Sequence, residues 1–274
     1  MNTDNEREKV AAATRDRRQR VQSASTGLLV LKELAASGGR ATLTALAARL
    51  SENPAKVHRY LASLIEESFV TQDKGTQQYV LGPQCIAIGL SAMRVADPIR
   101  LAEPALMRLR ERLEVTCFVA IMGNRGPTIM RFEEPGLPVT VNVRAGSVMS
   151  LLWSSTGRLF LALLNEKRIR KMAEEELAAT PAELRAQLDA TDPIGLLQRE
   201  IQAAGLATVR DTNLKGISAV SAPVFDANGH ICAAITALGA TGGFDASPHG
   251  PIASELRHEA EAISAELGHN VQLR

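Results

Sequence analysis

The residues Asn53-Pro54-Ala55-Lys56-Val57-His58-Arg59-Tyr60-Leu61-Ala62-Ser63-Leu64-Ile65-Glu66-Glu67 read as one sharply started helix. Asn53 is a good N-cap, and Pro54 suits the first helical position, where its missing N–H costs nothing. At about 100° per residue Val57, Leu61, Leu64 and Ile65 fall on one face. Ala55, Lys56, Arg59, Ala62 and Ser63 fall on the other, with His58 and Tyr60 on its shoulders. Such a helix can lie in a DNA major groove: the alanines allow close approach, and the long basic chains reach phosphates and base edges. An ordinary solvated helix face has the same pattern, so the flanking segments decide.

Ser25 and Thr26 read as caps of a helix running to about Ser37, with Leu28, Leu31, Leu34 and Ala35 as its apolar stripe and Gly38-Gly39 as its end. Thr42 then caps a short helix with Leu43, Leu46, Ala47 and Leu50 at helical spacing, and Ser51-Glu52-Asn53 is the turn into the next helix. Beyond it, Phe69 to Gln72 and Gln77 to Leu81 alternate as strands around the polar turn Asp73-Lys74-Gly75-Thr76. The order is that of a winged helix-turn-helix, with Lys74 and Thr76 at the tip of the wing. Plain turn chemistry accounts for those two residues equally well.

The composition, 274 residues with 45% apolar and 22% charged, suits two packed domains. Three widely spaced cysteines, Cys85, Cys117 and Cys232, follow no zinc or disulfide spacing and read as buried or inert thiols in a reducing compartment. No signal pattern opens the chain, and no apolar run approaches the ~20 residues that span a bilayer, so a cytoplasmic protein without a membrane partner is expected. The net charge of +1 is uneven, +3 through Gly82 and −2 after it. Residues 1–20 carry six basic side chains and few large apolar ones, and read as an arm reaching along DNA or as a solvated tail.

The expected domain plan is a flexible basic arm at 1–20, a winged helix-turn-helix at 21–83, a linker helix at 84–97 and an effector domain at 98–274. In the linker Ile86, Ala87, Leu90 and Met93 share a side, a candidate dimer seam; a dimer also matches two half-sites on DNA. Asp97-Pro98 restarts a helix to about 114, followed by strands at 115–122, 127–132 and 139–143. Ser154-Ser155-Thr156 lead into a helix from Gly157 to Leu164, and three helical pieces fill 166–204. Strands resume at 206–210, 217–225 and 230–238 before a last helix at about 252–267, which suggests an antiparallel sheet covered by helices in a two-layer α+β domain with room for a pocket.

Four motifs in this order and spacing resemble the IclR-type bacterial transcriptional regulators: Lys56-Val57-His58-Arg59-Tyr60-Leu61, Tyr79-Val80-Leu81-Gly82-Pro83, Ser155-Thr156-Gly157-Arg158 and Ala222-Pro223-Val224-Phe225-Asp226-Ala227-Asn228-Gly229. The resemblance spans roughly Val21 to Gly268. It implies an α+β chain made of a winged helix-turn-helix, a linker helix and a C-terminal GAF-like effector-binding domain, assembled as a homodimer or homotetramer. It further implies operator binding that responds to a small organic, often aromatic, acid. Candidate DNA-binding positions are Thr44, Ala55, Lys56, His58, Arg59, Tyr60, Ser63, Lys74 and Thr76. Effector positions are Trp153, Ser154, Ser155, Thr156, Gly157, Asp211, Ile217, Ala219, Thr236 and Leu238. Relatives often have Ser or Thr where Ala55-Lys56 stand, and a polar residue or Cys where Ala219 and Leu238 stand. The effector therefore cannot be inherited. Physically, hydroxyls and N–H groups at a helix start favour a carboxylate, while Ile217, Ala219 and Leu238 receive an apolar part.

No nucleophile elbow, zinc-protease or phosphate-loop motif is present, and His230, His249, His258 and His269 lack metal spacing, so neither catalysis, a metal nor a cofactor is expected. The remaining alternatives are a ligand-independent DNA-binding protein whose second domain only oligomerises and, behind it, a small-molecule enzyme.

Overall fold

The computed structural model describes residues 21–136, 144–212 and 214–269. The arm at 1–20 and the strand expected at 139–143 lie outside them. Two compact units divide between Arg94 and Val95. Among the described residues no helix is long and apolar enough to cross a membrane.

The N-terminal unit begins with α1 (Gln22–Ala36), α2 (Leu43–Leu50) and α3 (Pro54–Glu66). Both caps read from sequence form: Thr42 Oγ1 accepts from Ala45 N–H at 3.3 Å, and Asn53 Oδ1 from Ala55 N–H at 2.8 Å. The caps expected at Ser25 and Thr26 do not. Helix α1 starts ahead of both, at Gln22 behind Val21, and Thr26 Oγ1 donates to the Gln22 carbonyl from inside the helix. Its buried residues are Val30 and Leu34, whereas Leu28 is exposed. The apolar run Leu28-Leu29-Val30-Leu31 satisfies several phases, and only the position of α3 selects one. Val30, Leu34, Leu46, Val57 and Leu61 close the core, while Ile65 at the end of α3 remains exposed.

A three-stranded antiparallel sheet completes this unit in the order β1 (Arg40–Ala41), β3 (Tyr79–Leu81), β2 (Val70–Gln72). The hairpin turn is held by Asp73 Oδ1, which accepts from the N–H groups of Gly75 and Thr76 at 2.8 Å. Helix α4 (Pro83–Val95) follows Gly82, where a Cβ would stand 2.2 Å from the Ser68 carbonyl oxygen.

The C-terminal unit contains α5 (Pro98–Leu113), β4 (Thr116–Gly123), β5 (Gly126–Glu133), α6 (Ser155–Leu163), α7 (Lys167–Ala179), α8 (Ala182–Arg185), α9 (Pro193–Ala204), β6 (Ala207–Arg210), β7 (Ile217–Phe225), β8 (Ile231–Ala240) and α10 (Pro251–Glu266). Its strands form an antiparallel sheet in the order β5-β4-β8-β7-β6. The expectation of two layers is corrected to three. Consecutive residues Cys117 to Ala120 and Ser218 to Ala222 are all buried, so both faces of the central strands are covered. Cys117, Val119, Val220, Ala222, Ile235 and Ala237 pack with α5 and α10. The opposite parity of the same strands faces α6 and the cavity described next.

Candidate functional site

Of the residues assigned to DNA, Ala55, His58, Arg59 and Ser63 are exposed on α3, Thr44 on α2, and Lys74 and Thr76 on the hairpin turn. Lys56 is half-buried, its Nζ 2.6 Å from Glu52 Oε1. Tyr60 differs from its expected place at the edge of the contact: it is half-buried and packs on the core, within 3.7 Å of where a Cβ on Gly27 would stand. The exposed face of α3 thus offers a short, flat surface with Arg59, a long cation without an ion-pair partner among the described residues, between small side chains.

In the C-terminal unit a cavity of about 210 Å³ lies between the sheet and the start of α6. For scale, a cavity of roughly 150 Å³ holds benzene. Of the sequence-assigned residues, Trp153, Ser154, Ser155, Thr156, Ile217, Ala219, Thr236 and Leu238 line it. None of the described residues that line it is charged.

Two assigned residues stand elsewhere. Gly157 is packed against the chain before its own helix, where a Cβ would lie 1.8 Å from the Ser150 carbonyl oxygen. Its role is close backbone approach. Asp211 organises the β6–β7 loop from a left-handed backbone (φ 54°), its Oδ1 accepting from Gly216 N–H at 2.7 Å and from Thr241 Oγ1 at 2.9 Å. Thr212 takes the lining position one residue later and donates from Oγ1 to the Trp153 carbonyl at 2.9 Å.

The remaining walls were not assigned from sequence. Phe118 stands opposite Thr236 in the β4–β8 ladder, and Val209 opposite Ala219 in the β6–β7 ladder, so both share the inner face. Ser147, Val148 and Met149 come from a segment that runs beside β5, with Ile129 N–H to the Ser147 carbonyl at 2.9 Å and Met149 N–H to the Pro127 carbonyl at 2.7 Å. Alternation in β4 contains a signal for Phe118, but only knowledge of which strand pairs with β4 makes it usable.

The wall at α6 is braced from α7. Glu176 accepts from Ser150 Oγ and, at 2.9 Å, from Leu151 N–H; Trp153 donates from Nε1 to Thr180 Oγ1 at 3.2 Å. Ser154 Oγ caps α6 by accepting from Gly157 N–H at 2.9 Å. Arg158 N–H bonds back to the Ser154 carbonyl, so the first-turn N–H groups of Ser155 and Thr156 have no acceptor among the described residues. These amides and the positive end of the helix dipole favour an anionic or acceptor group at this end. The sheet end, with Phe118, Ala219 and Leu238, favours an apolar body.

The cysteines are not poised as nucleophiles. Burial pushes the Cys117 thiol up to about 12 and the Cys232 thiol to about 11, and it raises Cys85 as well. Among the described residues no group of three His, Cys, Asp or Glu could hold a metal ion.

Comparison with known proteins agrees with this architecture. The family described as "Bacterial transcriptional regulator IclR C-terminal" matches residues 90–265, and that described as "IclR helix-turn-helix domain" matches residues 23–74. The HTH-type transcriptional regulator BhcR of Paracoccus denitrificans is 27% identical over 223 residues, 81% of this chain and 78% of that protein. The DNA-binding transcriptional repressor YiaJ of Escherichia coli K12 is 25% identical over 274 residues, covering 97% of this chain and 95% of its own. The crystal structure of Pseudomonas aeruginosa HmgR matches at 37% identity with a TM-score of 0.83, over 92% of this chain and all of that one. With both family descriptions matched in order, and a GAF-like unit following a winged helix-turn-helix, the chain belongs to the IclR family of bacterial DNA-binding transcriptional regulators.

Proposed function

We propose that this chain is a sensor-regulator in which a small organic acid, held in the C-terminal cavity, changes the affinity of a homodimer or homotetramer for operator DNA in the cytoplasm. The domain plan is an arm at 1–20, a DNA-binding domain at 21–83, a linker at 84–97 and an effector domain at 98–274. The observation that carries the sensing role is the cavity itself: uncharged walls, an apolar sheet end and unpaired amides at the other end. A monocyclic or short-chain monocarboxylate matches both its size and its polarity.

Operator recognition is assigned to α3 in the major groove, with Arg59 as the base-reading or phosphate-binding cation and Ala55 and Ser63 allowing close approach. Lys56 joins by exchanging Glu52 for a phosphate; Thr44, His58, Lys74 and Thr76 supply flanking contacts. Oligomerisation is assigned to α4, a 13-residue helix with no buried residue whose Ile86, Ile88, Leu90 and Met93 are all exposed. A second copy covers such a surface and supplies the two-fold symmetry that paired half-sites require.

The test uses an operator selected by the protein from random-sequence DNA, titrated with and without benzoate, phenylacetate, 4-hydroxybenzoate and succinate, while emission of the only Trp, Trp153, reports occupancy. At least one acid is expected to change both emission and operator affinity. Intact operator binding that no acid alters, with unchanged Trp153 emission, would overturn the sensing role and leave the C-terminal unit a purely oligomerising one.

A further inference from the structure

Beneath the cavity four hydroxyls from three elements join in one chain: Ser155 and Thr156 at the start of α6, Ser221 in β7 and Thr236 in β8. Each is at most 1% exposed. Ser221 and Thr236 face each other across the β7–β8 ladder with their oxygens 2.7 Å apart. Thr156 Oγ1 lies 2.9 Å from Thr236 Oγ1 and, more loosely, 3.4 Å from Ser221 Oγ, and Ser221 Oγ donates to Ser155 Oγ at 2.8 Å.

One hydroxyl carries one proton, and that count directs the chain. Ser221 spends its proton on Ser155, so the short Ser221–Thr236 contact takes its proton from Thr236. Thr236 is then committed, so the Thr156–Thr236 contact takes its proton from Thr156. The order is Thr156 to Thr236 to Ser221 to Ser155. Ser155 ends the chain as an acceptor, and its own O–H has no acceptor among the described residues although the side chain is 99% buried against the cavity wall. With the Ser155 and Thr156 amides it makes three donors at the α6 end.

We propose that Ser221, which does not line the cavity, is a positioning residue that sets effector specificity. By donating to Ser155 Oγ it fixes the orientation of that hydroxyl, with the Ser155 proton turned away from Ser221, and the site then selects a carboxylate over the isosteric amide or alcohol. This rests on the reading of the cavity as the effector site. Removing the Ser221 hydroxyl takes away the one side-chain hydrogen bond of Ser155 Oγ among the described residues and leaves Thr236 without its acceptor, so the Ser155 hydroxyl is free to rotate. The hydroxyl then greets a donor as readily as an acceptor.

The experiment measures dissociation constants for benzoate against benzamide and phenylacetate against phenylacetamide by Trp153 emission in the full-length protein. Wild type should prefer each acid by about tenfold or more, the worth of a charged hydrogen bond. Ser221→Ala should reduce that acid-to-amide ratio at least about threefold, chiefly by weakening the acid, and Ser221→Cys, a near-isosteric weak donor, should fall between. A packing role alone would weaken acid and amide together and leave the ratio at its wild-type value; that result in both variants overturns the proposal while the effector reading stands. Acid and amide bound equally by wild type would also overturn it. If neither acid binds wild type, the monocyclic-acid reading of the cavity fails, and this proposal with it.

Discussion

On α3 the residues assigned to DNA, Ala55, His58, Arg59 and Ser63, come from one turn after another of a single helix and are exposed; around the cavity Ser155, Thr156, Ala219, Thr236 and Leu238 come from three separate elements, each no more than 8% exposed. The first group is a surface laid over a core that Val57 and Leu61 already complete. The second group is itself core, because the same side chains that bound the cavity fill the layer between sheet and helix. On the proposed reading, the operator can change through substitutions on α3 that leave folding alone, whereas any change at the cavity also acts on stability.

Gly157→Ala tests that contrast at its strongest. The added Cβ would stand 1.8 Å from the Ser150 carbonyl oxygen and 2.6 Å from the Leu151 Cα, both backbone atoms that cannot swing aside. A loss of about 3 kcal/mol or more is expected, read from denaturant unfolding followed by Trp153 emission. An unfolding midpoint equal to wild type would show that α6 is not pressed onto the chain before it, and the cavity would then be no more tied to folding than α3.

A middle effect is expected at Glu259 on α10, which accepts from Arg108 Nε at 2.9 Å and from Nη2 at 2.7 Å while 3% exposed. Because the Arg108 side chain is half in water, Glu259→Gln should cost about 1–3 kcal/mol, less than breaking a fully buried pair. The Arg108 hydrogen bond, aided by Arg108, His258 and Arg112 charge, holds the Glu259 carboxyl below the usual range. A folded value below the unfolded one, ~4.3, means the contribution is full above that pH and lost as pH falls through the folded value. The difference in melting temperature between wild type and Glu259→Gln should therefore shrink below about pH 4, and a difference independent of pH would place the stabilisation in shape alone.

The smallest effect on folding belongs to the other side of the comparison. Arg59→Ala should leave the melting temperature unchanged while weakening operator binding by about 1–3 kcal/mol, as a gel-shift or anisotropy titration would read. A destabilised Arg59→Ala protein would mean that α3 is not a free surface.

Local chemistry made much of this legible in advance. Asn53 and Thr42 cap their helices, Asp73 closes the hairpin turn, and Ser154 caps α6, each through atoms within three residues of one another. Where several local solutions competed, the reading slipped. Ser25 and Thr26 are good caps, yet α1 starts at Gln22, and packing against α3 makes the buried phase Val30 and Leu34 rather than Leu28. Asp211 looked like a polar cavity wall but holds its own loop, leaving that place to Thr212.

The sequence by itself determined the order of elements, the winged helix-turn-helix, the outward face of α3 and the helix start beside the cavity, since capping, turns and helical periodicity act over a few residues. Tertiary structure alone decided that the sheet is covered on both faces, that Phe118 and Met149 close the cavity, and that Ser221 reaches Ser155 from 66 residues away. Those outcomes depend on which strands pair and in what register, and register is set by burial of whole faces, a property no short window of the chain contains.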